Sequence, residues 1–186
     1  MNKYILVLFG LLLSTLQYAL SVYELNLLDY SEEHFNRLSE LVGFQIESVD
    51  AKVYEYDQLN EFTKVTGAPF FVSAFSNKQG IHIQSRYLLG SRFQPAIIHE
   101  LIHFTIKHQY PIPAWFEEGL VCLITQEFSD VHDIDPMLTV LDYDIRNAKN
   151  NWELVSYSLG CIEKVKELLT EDPATITSPT FNTSIP

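Results

Sequence analysis

Apolar and polar positions alternate along the chain in several distinct rhythms. Over 31–43, Phe35, Leu38, Leu41 and Val42 recur at helical spacing. Ser31 stands where a cap is needed and Gly43 where a helix ends, so the stretch predicts an amphipathic helix. Residues 51–56 alternate like a half-buried strand. Asp57 is then placed to cap a short helix over 58–66 that stops at Gly67. Two further strands, 69–75 and 80–84, are predicted on either side of a turn-like connection at 76–79. Residues 95–106 are apolar at nearly every position, with no Gly or Pro after Pro95, which predicts a buried helix. A Pro-rich turn at 111–113 opens another helix, whose apolar run continues through 119–128. An acidic loop holding His132 and an Asn-rich stretch lead to a last helix, about 152–169. Residues 171–186 are rich in Thr, Ser and Pro and predict a disordered tail.

The first residues follow another pattern. Lys3 precedes a short apolar run from Tyr4 to Leu13, and small residues follow at Ala19 and Ser21. This predicts a signal peptide over 1–21, cleaved after Ser21, and a protein exported to the periplasm or outside the cell. The run is too short for a comfortable membrane span, so no stable membrane insertion is expected after cleavage. Residues 22–170 suit a single domain with one core. The formal net charge of −12 argues against nucleic acid and anionic membrane as partners, because both need a basic surface.

Candidate chemistry changes the reading of the helix over 95–106. It contains His99-Glu100-Leu101-Ile102-His103. Positions four apart lie one turn above each other, so both imidazoles can converge on one metal ion. Glu100 projects beside that point and can take a proton from an activated water. The bland alternative is a buried helix with two hydrogen-bonded histidines. Downstream lies Pro113-Ala114-Trp115-Phe116-Glu117-Glu118-Gly119, a turn opening a helix that carries carboxylates early.

Together the two segments resemble the gluzincin class of zinc metallopeptidases, and most of all its short, peptidase MA-like members. The resemblance covers mainly 91–128 and more loosely 50–170. It implies an α+β, zincin-like domain: an N-terminal mixed sheet with helices, the active-site helix, and a helical C-terminal half. It implies that His99, His103 and Glu118 hold one Zn2+ and that Glu100 is the catalytic base. Glu118 is the Glu immediately before Gly, as in that class. Glu117 is then expected to be a solvated, dispensable first-turn acid, and Gly119 to leave room for the metal helix. Two imidazoles and a carboxylate suit zinc better than magnesium or calcium.

The resemblance extends to further residues. Tyr157-Ser158-Leu159-Gly160 looks like the Tyr-x-x-Gly of several gluzincins, whose Tyr donates to the oxyanion. A Tyr packed at a helix interface is the alternative, and His132 is the other candidate donor. The strand over 81–84 takes the place of the sheet edge that pairs with an extended peptide substrate, with His82 either facing the cleft or lying on the surface. The Gly-x-Met-Glu-Asn segment of related aminopeptidases is absent, which favours an endopeptidase. An Asp that orients a zinc-bound His in some relatives is replaced by Cys122, so that duty is unassigned. In an exported chain, Cys122 and Cys161 are expected to form a disulfide, with two buried thiols as the alternative. The competing functional classes are an inactive zinc-binding relative serving as an exported interaction module, and a binding module in which the motif is accidental.

Overall fold

The alternating stretch 51–56 lies inside a four-stranded sheet in the computed structural model, which describes residues 20–42, 45–141 and 143–171. The chain is an α+β domain. It runs through β1 (Ser21–Leu25), α1 (Leu27–Tyr30), α2 (Glu32–Val42), β2 (Ala51–Tyr56), α3 (Leu59–Thr66), β3 (Ala74–Asn77) and β4 (Gly80–Gln84). Then come α4 (Arg86–Leu89), a 3-10 turn, α5 (Phe93–Gln109), α6 (Ala114–Thr125), a second 3-10 turn and α7 (Asn151–Glu171). The predicted signal peptide and tail lie almost wholly outside the described residues. The expected cleavage point after Ser21 falls within β1, whose first pair is Ser21 with Glu55. Among the described residues, no helix is long and apolar enough to cross a membrane.

The sheet order is β1-β2-β4-β3, with β2 and β4 parallel and the outer pairs antiparallel. This corrects one expectation: β4 is an interior strand, and β3 and β1 are the edges. Alternation explains how the sheet is covered. Ile81 and Ile83 are fully buried in the main core with Val53, Ile97 and Leu101, so α5 packs on that face. The opposite face is covered by Phe62 of α3, with Tyr56, Ala68 and Val72. His82 projects to this second face and is buried, neither cleft-facing nor on the surface. Its ring stacks on Tyr54 at 4.8 Å, and its Nδ1 lies 2.8 Å from the Tyr56 hydroxyl.

Several boundaries move. Gln58, not Asp57, is the N-cap of α3, while Gly67 ends that helix in the left-handed conformation, φ 69°. The strand expected over 69–75 is shorter and shifted to Ala74–Asn77. The apolar run after Gly119 does not carry α6 to residue 128. Gln126 takes φ 57° and Phe128 φ 62°, which turns the chain back at Thr125.

Gly119 makes room for α7, not for the metal helix. A Cβ there would lie 2.5 Å from the Cys161 carbonyl oxygen and 2.6 Å from Val165 Cγ2. Overpacking of a close helix contact typically costs about 1–3 kcal/mol. Gly119→Ala is therefore expected to lower stability by about that amount, read as a shift of the urea midpoint at unchanged m-value.

Candidate metal centre

Most of α5 is buried, and four of its polar residues share one stripe. His99, Glu100, His103 and Lys107 recur at three- and four-residue spacing and line a cavity of about 790 Å³. The rest of the wall includes β3 and the residues before it, Glu117 and Glu118 of α6, Glu127 and Phe128 just after it, residues 143–146, and Tyr157 and Ser158 of α7. Trp115 and Phe116 are buried at 4% and 2% exposure and fix the start of α6 against the core.

His99 and His103 present their Nε2 atoms to each other at 3.0 Å. Glu118 Oε2 lies 3.2 Å from His103 Nε2 and 3.8 Å from His99 Nε2. Three atoms held tetrahedrally at about 2.0–2.1 Å from one zinc ion stand about 3.3 Å apart. The observed separations bracket that spacing, and the donor types are those zinc takes, so these residues fit the ion. Glu100 is 8% exposed and, among the described residues, has no hydrogen-bond or ion-pair partner.

The candidate ligand atoms are aimed by a second layer of carboxylates. His103 Nδ1 contacts Glu117 Oε1, and Lys107 Nζ reaches the same oxygen at 3.3 Å. Glu117 is therefore not the solvated acid that was expected: it is 4% exposed and holds the far side of His103. It takes up the orienting duty left open by Cys122. His99 Nδ1 lies 3.0 Å from Glu127 Oε1. Nothing local in the sequence marks Glu127, since the apolar run predicts a helix through it; only the turn at Gln126 and Phe128 carries it back over His99. On Glu118, Oε1 accepts from the Ser158 hydroxyl at 2.6 Å and from the Cys122 thiol at 3.5 Å, which leaves Oε2 toward the histidines.

Charge follows this geometry. Burial opposes protonation of His99, but Glu127 and Glu118 outweigh it and hold the imidazole well above its ordinary value. Burial likewise opposes the charge on His103, and Glu117 raises it. Burial also works against the Glu118 carboxylate, and bonds from His103 and His99 keep it well below the usual range. In the metal-free protein, the raised imidazoles contribute stability that is complete below their unfolded value of 6.5. That contribution is lost as pH rises through their folded values. A zinc ion held by these atoms would have to displace these protons, so its contribution would grow with pH. Urea midpoints of the metal-free chain should fall as pH is raised above about 6.5, while those with excess zinc should rise relative to them.

The other expected residues fare differently. Tyr157 lines the cavity at 4% exposure, stacked on Tyr143 at 4.6 Å. Burial, then the neighbouring Cys161, raises its pKa. His132 is exposed in its loop and does not line the cavity. The Cys122–Cys161 bridge is not formed: both are buried free thiols. Burial pushes Cys161 up to about 12, and burial followed by Glu118 pushes Cys122 well above its ordinary value.

No protein-family model matches the chain, and neither a curated protein nor a solved structure is significantly similar to it.

Proposed function

We propose that this chain is an exported zinc peptidase of the gluzincin type, hydrolysing extended peptides internally. What supports this is the convergence of two Nε2 atoms and one Glu118 oxygen beside an unpartnered Glu100, all facing one cavity. His99, His103 and Glu118 would hold the ion. When bound, zinc supplies Lewis-acid chemistry: it lowers the pKa of water and polarises a carbonyl.

The chain's own residues do the rest. Glu117 and Glu127 hold the Nδ1 edges of His103 and His99, so both Nε2 lone pairs face the same point. Glu100 accepts the proton of the attacking water and passes it to the leaving amine. Tyr157 is the proposed donor to the oxyanion, exchanging its Cys161 contact for the carbonyl oxygen. β3 is an edge strand, and it lines the cavity; its outer side offers N–H and C=O groups to an extended backbone.

Protein reconstituted with zinc at neutral pH should carry about one ion per chain and hydrolyse unfolded protein in a chelator-sensitive way. Absence of metal after reconstitution would overturn the proposal. Zinc without hydrolysis would assign the chain to the alternative, an inactive relative serving as an exported interaction module.

A further inference from the structure

We infer that the protein has a second cation position, built by His99, Cys122 and Glu127, which takes a thiophilic ion and competes with the zinc position for His99. A ring nitrogen of His99, the Cys122 sulfur and a Glu127 oxygen all lie within 4.8 Å of one another. The nitrogen facing Glu127 is Nδ1, at 3.0 Å, on the opposite edge of the ring from the Nε2 that faces His103 and Glu118. Cys122 and Glu127 are not among the three residues of the zinc position, but they touch it: Glu127 contacts the other edge of His99, and the Cys122 thiol donates to Glu118 Oε1.

Local backbone builds this group. Cys122 lies in the last turn of α6, and the left-handed residues Gln126 and Phe128 return the chain over that turn. The Glu127 amide donates to the Cys122 carbonyl at 3.1 Å, tying the two ligand-bearing residues together. His99 and Glu127 line the cavity, so an ion can enter from there, with Cys122 behind them.

The donor types decide which ion fits. A thiolate beside imidazole and carboxylate favours soft ions such as Cd2+ or Cu+ over the hard oxygen-seeking cations. On binding, the thiol proton leaves to solvent and the sulfur bonds the ion. Glu118 Oε1 then loses its Cys122 donor and keeps Ser158.

Competition follows from the imidazole itself. A neutral ring has one protonated nitrogen and one with a free lone pair. An ion on Nδ1 therefore places the proton on Nε2, where it points at His103 Nε2, 3.0 Å away. His99 is then lost to the zinc position.

The metal-stripped full chain, titrated with Cd2+, tests this through the ultraviolet sulfur-to-cadmium charge-transfer band. The band should appear and saturate near about one cadmium per chain. Cys122→Ser should abolish it, Glu127→Gln should shift its titration to higher cadmium, and Cys161→Ser and His103→Ala should both retain it. No band in the unaltered chain, or a band that survives Cys122→Ser, overturns the assignment. A band indifferent to Glu127→Gln does so too, and this covers the case in which Cys122→Ser fails to fold. Cadmium added to zinc-loaded protein should release zinc as the band grows; a full band with zinc still bound overturns the competition. His103→Ala separates the two sites, because failure of the zinc-hydrolase reading leaves the thiol-dependent band unchanged.

Discussion

Replacing Glu100 by Gln should leave zinc bound while peptide hydrolysis falls by about 10² or more. The substitution keeps the shape of the side chain and removes only its ability to accept a proton. Because Glu100 has no hydrogen-bond or ion-pair partner among the described residues, no such pair is broken. It also stands outside the His99, His103 and Glu118 set, so metal content should not change. Turnover would be compared at matched zinc occupancy, with thermal melts confirming an unaltered fold. Hydrolysis at the original rate would place the proton acceptor elsewhere.

The other large effect concerns the adjacent carboxylates of α6. Successive helix positions differ by about 100°, and here that angle lets two glutamates embrace one imidazole from opposite edges. Glu118 Oε2 faces the Nε2 edge of His103, and Glu117 Oε1 contacts its Nδ1 edge. Glu118→Ala removes one of the three proposed ligand atoms and leaves Ser158 and Cys122 without their Glu118 acceptor. It should cost the larger share of zinc affinity, beyond the roughly 10–100-fold typical for loss of an orienting group. Glu117→Ala should fall within that 10–100-fold range, because it frees the His103 ring and leaves Lys107 only its Ser76 contacts, without removing a proposed ligand. Isothermal titration of the metal-free variants with zinc ranks them. A larger loss at 117 than at 118 would exchange the roles of the two residues.

The helices and strands near the centre were legible because their signals are local. Period-two alternation over 51–56 and the apolar run over 95–106 each report a face, and a face is a property of neighbouring residues. The histidine pair was legible for the same reason, since a four-residue spacing in a helix fixes which side chains meet. Strand order was not. That β4 lies inside and β3 at the edge depends on pairing between distant segments, and both read equally well as strands.

The sequence by itself determined the order of the longer helices and of β2 to β4, the histidine pair of α5 and, through the resemblance, the candidacy of Glu118, while β1, α1 and α4 went unannounced. Only the tertiary structure decided what surrounds them. Glu117 is buried because α6 is rotated by its packing against α5 and α7, with Gly119 pressed on Cys161 and Val165. Glu127 reaches His99 because two residues other than glycine adopt left-handed backbone, which no composition signal announces. His82 is buried between tyrosines because β4 is an interior strand covered on both faces. In each case the deciding contact joins residues far apart in the chain, and its energy exists only once the helices and sheet have packed.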